Sequence, residues 1–251
     1  MTENIAASGS IALEQVGKVY PLRKQKPFLV KEVLDRLIGR GRPRWETFAA
    51  LKDVSFTIKR GETLAIVGRN GAGKSTLLGI IAGTVYPTRG RVDVQGRIGA
   101  LLELGAGFHP DLTGRENIFL NASLLGLQKF EVEAKLDQII EFSELGEFID
   151  VPLWNYSSGM QVRLGFSVAA HIDPEIVLLD EVFTVGDAEF ERKCLKRVME
   201  FKAQSKTLLF VTHGPEALRG ICERAIWLDH GQVQADGPFD DVLRKYAIAC
   251  Q

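Results

Sequence analysis

Residues 68–75 read Gly-Arg-Asn-Gly-Ala-Gly-Lys-Ser, between an apolar run at Glu62 to Val67 and a helical pattern from Lys74 to Ala82. A strand, a glycine-rich loop and a helix in that order constrain the fold more than any other feature of the chain. Gly68, Gly71 and Gly73 let backbone N–H groups turn inward around an anion, where side chains would collide. The helix that follows aims its positive end at the same anion. Lys74 is then placed to reach the β- and γ-phosphates of a nucleotide, and Ser75 to offer a hydroxyl to Mg²⁺. Asn70 and Thr76 complete the expected loop contacts. An empty glycine turn would share the composition, but nothing would require a buried strand before it and a helix after it.

A second set of polar residues stands at strand ends further on. The apolar run Ile176 to Leu179 finishes in Asp180 and Glu181, and the run Leu208 to Thr212 finishes in His213. Sheets with helices on both faces put ligands at the C-terminal ends of their strands. Asp180 is therefore expected to hold Mg²⁺ through water, and Glu181 to orient or deprotonate the attacking water. His213 reaches the same phosphate from the neighbouring strand. An isolated acidic pair after a strand is more often a helix cap. Behind a phosphate loop it reads as half of a hydrolytic site.

Short apolar strands alternating with helices predict a mainly parallel α/β sheet covered on both faces. Strands are expected at Ile11 to Val19 and Val54 to Ile58. A helical stretch is expected from about Asp111 to Ala170, opened by a Thr113/Glu116 capping box, and another helix near Glu189 to Ala203. The chain has 251 residues and a net charge of -1, so as a whole it has no bulk attraction for nucleic acid or anionic lipid. Charge is uneven, however. Between Pro21 and Trp45, Arg23, Lys24, Lys26, Lys31, Arg36, Arg40, Arg42 and Arg44 face only Glu32 and Asp35. Within that stretch Pro27 to Gly39 has helical spacing, with Val30, Val33, Leu34, Leu37 and Ile38 on one face. Cys194, Cys222 and Cys250 are far apart and form no CxxC pair, so reduced thiols in a cytoplasmic protein are the simpler reading. Met1 to Ser10 lacks a basic-then-apolar signal pattern, and no apolar run reaches the roughly 18 residues that cross a bilayer, so any membrane role is expected to come through a partner or a surface contact.

The segment Tyr156-Ser157-Ser158-Gly159-Met160 opens a helix between the phosphate loop and Asp180. That order resembles the ABC ATPases, whose signature Leu-Ser-Gly-Gly-Gln occupies this place. The resemblance runs from Ile11 to about Asp236 and includes Tyr20 (similar to the aromatic on which adenine stacks), Asp187 after the acidic pair, and Val-Thr-His213. It implies a P-loop NTPase core with a mainly parallel sheet, an N-terminal antiparallel β part and an inserted helical subdomain. The corresponding division is 1–96 with the basic insertion at 21–47, then 97–165 with the signature, then 166–251. The resemblance also implies ATP and Mg²⁺ as ligands. Two subunits would sandwich two ATPs, each phosphate loop being completed by Tyr156, Ser157, Ser158 and Gly159 of the other subunit. Ser157 could equally cap its own helix, which is compatible with contact to a phosphate.

The departures from the general pattern are informative. Glu103 stands where a glutamine that ligates Mg²⁺ is expected, and Val182 replaces a proline. Tyr-Ser-Ser-Gly-Met, Leu-Leu-Glu-Leu-Gly-Ala-Gly-Phe and Asp-Glu-Val-Phe-Thr-Val-Gly-Asp together resemble the branch that exports bacterial polysaccharides such as O-antigen, capsule and teichoic acid. The resemblance implies separate transmembrane permease subunits, a place on the inner face of the cytoplasmic membrane and no nucleic-acid partner. Some members of that branch carry a C-terminal β-sandwich that reads the glycan. This chain stops at Gln251, which would leave selectivity to the partner. The helix at 27–39 is expected either to face the permease and anionic headgroups or to pack on its own domain. Repair and chromosome ATPases of the same family separate their lobes by coiled coils, for which the loop-to-signature gap is too short. Translation-associated members carry two tandem sites, and P-loop kinases or GTPases would leave Ser157 and His213 unexplained.

Overall fold

The computed structural model describes residues 8–22, 46–101, 105, 107–180 and 187–249. Among these residues nine strands form two sheets. The smaller is antiparallel, in the order β2 (Glu46–Ile58), β1 (Ser10–Leu22), β4 (Arg89–Gln95). The larger has six strands in the order β5 (Ile98–Leu101), β6 (Ile176–Asp180), β7 (Thr207–Thr212), β3 (Thr63–Val67), β8 (Arg224–Asp229), β9 (Gln232–Pro238). All its neighbours run parallel except β8 and β9.

The central strands are apolar between their end residues because both of their faces are covered. Leu64 and Ile66 of β3 point to one side, where they meet Ile11, Leu13, Val54, Leu77 and Ile81 from the small sheet and α1 (Lys74–Ile81). Ala65 and Val67 point to the other, against Phe190, Val198 and Phe201 of α6 (Ala188–Ala203) and Phe239 and Leu243 of α7 (Phe239–Ala249). Each fully buried Leu, Ile or Phe contributes about 2 kcal/mol to this two-sided core.

The stretch expected to be helical between the sheet's two halves is a lobe of short pieces. These are α2 (Gly114–Leu124), α3 (Lys129–Glu133), α4 (Leu136–Ser143) and α5 (Ser158–His171), with 3₁₀ turns at Gly146–Asp150 and Leu153–Asn155. Its own core gathers Ile118, Ile139, Leu153, Tyr156, Leu164 and Val168. The expected capping box is present: Thr113 Oγ1 accepts from the Glu116 amide at 3.2 Å, and Glu116 accepts from the Thr113 amide at 2.8 Å. Strand β1 extends past the expected Val19 to Leu22, because β2 pairs with it as far as Leu22↔Glu46. Strands β4, β8 and β9 and helix α7 carry no strong sequence signal. β4, β9 and α7 are half-covered, and β8, buried on both faces, shares with them a burial that depends on neighbours distant in the chain. The expected helix at 27–39 lies outside the described residues.

Candidate nucleotide site

Strand order converts the scattered motifs into one edge. The β3–α1 loop follows Val67, which pairs with Thr212 at the end of β7, while Asp180 at the end of β6 pairs with Val211. Three neighbouring strands thus stop together, with the loop on one side, Asp180 on the other and His213 between them.

A cavity of about 520 Å³ opens there, lined by Asn70, Gly71, Gly73, Lys74, Ser75, Thr76 and Asp180, with Phe48 and Ala50 from β2. The loop is braced from behind. Ala72 O accepts from Gly231 N at 2.9 Å, and Gly231 O accepts from Lys52 N at 2.7 Å. Two of its glycines are required by this bracing. A Cβ at Gly68 would lie 2.2 Å from the Leu228 carbonyl oxygen, and one at Gly73, where φ is 105°, would lie 2.6 Å from that of Ala50. Lys74 is buried, and its Nζ donates to Gly68 O at 2.7 Å and Arg69 O at 3.1 Å. Its ammonium therefore sits within the loop that would hold a phosphate.

The helix termini carry a further signal. No side chain caps α1 and its first turn contains no acid. The first turn of α5 also has none, although Ser157 accepts there from the Met160 amide at 3.2 Å. Every other described α-helix has an acid in its first turn: Glu116, Glu131, Asp137, Glu189 with Glu191, and Asp240 with Asp241. Such acids satisfy the positive helix end themselves. Among the described helices only α1 and α5 leave that end for an anion from elsewhere.

The structure does not bring all the expected residues together. Ser157, Ser158 and Gly159 are exposed or half-exposed at the start of α5 and do not line the cavity. Tyr156 was expected among the nucleotide contacts, but its side chain is turned into the lobe core. It is 7% exposed, and its hydroxyl donates to Phe148 O at 2.6 Å. Burial pushes the phenol up to about 12, helped by the charge of Asp150. Tyr20 lies on β1 outside the cavity lining, and its partner across the ladder, Phe48, provides the lining aromatic instead. The two side chains share a face. Phe48 is missed in the sequence because no motif marks it; only the β1–β2 pairing carries it to the loop. His213 is exposed at the end of β7 and is not part of the lining. Asp187 caps α6, accepting from Glu189 N at 3.1 Å and Phe190 N at 3.0 Å, and this lowers its carboxyl below the usual range. Glu181 and Glu103 lie outside the described residues. Among the described residues no group of three His, Cys, Asp or Glu converges on a metal. Ser75 and Asp180, hard oxygen donors lining the same cavity, fit a Mg²⁺ that takes its remaining ligands from phosphates and water.

Sheet order, braced loop and acid-free helix end define an ATP-hydrolysing P-loop cassette with an inserted helical lobe. The chain belongs to the ABC transporter family, whose profile matches residues 51–184. It is 46% identical over 246 residues to the O-antigen export system ATP-binding protein RfbB of Klebsiella pneumoniae, covering 95% of this chain and 98% of that protein. It is 46% identical over 200 residues to the teichoic acids export ATP-binding protein TagH of Enterococcus faecalis, covering 80% of this chain and 44% of that one. The dimeric ATP-binding cassette MJ0796, solved in a post-hydrolysis state with ADP and Pi, superposes with a TM-score of 0.71 at 25% identity, over 91% of this chain and 98% of that one.

Proposed function

We propose that this chain is the ATP-binding and hydrolysing subunit of a transporter that exports a lipid-linked polysaccharide across the cytoplasmic membrane, working as a homodimer beneath separate permease subunits. The observation that carries the dimer is the pair of acid-free helix ends, one inside the cavity at α1 and one outside it at α5. A phosphate gripped by the first in one protomer is completed by the second from its partner. The match to O-antigen and teichoic acid export proteins supports the substrate class. Among the described residues no helix is long and apolar enough to cross a membrane, in keeping with a separate permease.

Within the site, Lys74 and the loop amides hold the β- and γ-phosphates. Ser75 and Asp180 hold Mg²⁺, with Glu103 as a further oxygen. Bound there, Mg²⁺ neutralises charge on the phosphate oxygens. Glu181 takes the proton of the attacking water, and His213 orients the γ-phosphate. Phe48, the aromatic that lines the cavity, stacks on the adenine in place of Tyr20, and Asp187 contributes to the contact between protomers. The chain divides into the core segment 1–96, the lobe 97–165 and the second core segment 166–251. The basic segment around 27–39 touches the permease or anionic headgroups, and nucleic acid has no part.

Mixing two inactive variants tests the composite site. Lys74→Ala disables the phosphate loop and Ser157→Arg the partner-facing helix end, so each homodimer should hydrolyse ATP at background rate. A mixed dimer keeps one intact site, and combining the two proteins should restore measurable turnover. Full activity of Ser157→Arg alone, or no recovery on mixing, rejects the arrangement.

A further inference from the structure

Three helices meet where the lobe joins the sheet core. Phe142 of α4, Phe166 of α5 and Phe190 of α6 form a ring cluster with centroids 6.0, 6.0 and 6.1 Å apart. Over it runs a line of alternating charges. Arg163 of α5 donates through Nη1 to Glu144 Oε2 at 2.9 Å and through Nη2 to Asp187 Oδ2, with its guanidinium carbon 4.9 Å from the centre of the Phe190 ring. Lys193 of α6 donates to Glu144 Oε1 at 2.7 Å and to Phe142 O at 2.9 Å, with its ammonium 4.5 Å from the Phe142 ring.

The two carboxylates each do double service. Glu144 closes α4 in the left-handed region, at φ 56°, a conformation that a residue other than glycine keeps only when its surroundings hold it. Asp187 uses Oδ1 to cap α6 and Oδ2 to receive Arg163. Arg163 is one side chain holding the lobe by one nitrogen and the first turn of α6 by another. It lies on the same helix as Ser157, six residues after it.

We propose that Arg163 is a positioning residue that transmits the engagement of α5 with a phosphate to the N-terminus of α6, through the carboxylate of Asp187. The inference rests on the composite-site reading above. In sequence Asp187 ends the segment that begins at Asp180 and contains Glu181. Fixing Asp187 to α5 therefore ties the far end of that segment to the helix that senses the γ-phosphate. A planar fork suits this role where a lysine would not, since one ammonium cannot hold two carboxylates in fixed directions.

The test is steady-state ATP hydrolysis and equilibrium binding of a fluorescent ATP analogue for Arg163→Ala, Arg163→Lys, Asp187→Asn, Glu144→Gln and the Arg163→Ala/Asp187→Asn double variant of the full chain. Asparagine keeps the cap and removes only the charge pair. The expected result is a fall in kcat of about tenfold for Arg163→Ala, about 1.4 kcal/mol added to the barrier when Asp187 is no longer held to α5. Nucleotide affinity should stay within about twofold of wild type, because the phosphate loop is untouched. Arg163→Lys should not rescue, Glu144→Gln should lower kcat in the same direction, and the double variant should be no slower than Arg163→Ala. Multiplying effects in the double variant, full rescue by lysine, or a loss of affinity parallel to that of kcat overturns the proposal. The mixing experiment leaves Arg163 intact. Recovery there with multiplying effects here sinks the positioning role alone, and failure there sinks the two-subunit site whatever Arg163 does.

Discussion

Tyr156 precedes the signature serine at a position where this family commonly has leucine, and its hydroxyl gives the position a polar anchor. It donates to the Phe148 carbonyl and leaves no room beside Gly114, where a Cβ would lie 2.2 Å from the phenol oxygen. Removing the hydroxyl leaves that carbonyl without this donor, so Tyr156→Phe should lower unfolding stability by about 1–2 kcal/mol in denaturant titration. The same residue makes stability depend on pH in alkali. Its folded value, about 12, is above the ordinary 10.0, so the native state holds the proton more tightly. That contribution is complete below pH 10 and fades as pH rises toward 12, and Tyr156→Phe should lack this part of the alkaline loss. Identical alkaline profiles for the two proteins would show that the phenol does not titrate late.

At the scale of elements, the helix ends divide by what satisfies them. The start of α2 is closed by its own residues, Thr113 and Glu116. Thr113→Ala should therefore cost about 1 kcal/mol and loosen the lobe, measured as a lower Tm, while nucleotide binding at the phosphate loop stays unchanged. A loss of binding equal to the loss of stability would show that lobe and loop are not independent. The capping box was legible because its spacing is local. The coverage of β4, β8, β9 and α7 was not, because each is covered by partners far along the chain. The same reason explains Phe48. Its role depends on pairing with Tyr20 across a ladder whose strands are separated by the 23–45 segment.

For the whole molecule, the reading of two protomers closing on ATP makes a prediction about assembly. Glu181→Gln should leave ATP binding intact and accumulate an ATP-bound dimer, seen as a shift in sedimentation that ADP does not produce. Wild-type turnover in that variant would remove Glu181 as the base. The sequence alone determined the local chemistry: a loop that only glycines permit, strands with apolar interiors because both faces are covered, and carboxylates at strand ends. These are short-range patterns, and physics acts on them within a few residues. Tertiary structure decided the rest. It brought the loop and Asp180 to one edge by inserting β7 between their strands. It also set Ser157 outside that cavity, turned Tyr156 inward and joined Arg163 to Asp187. Each of these depends on which surfaces distant segments bury against one another, and no spacing along the chain records that.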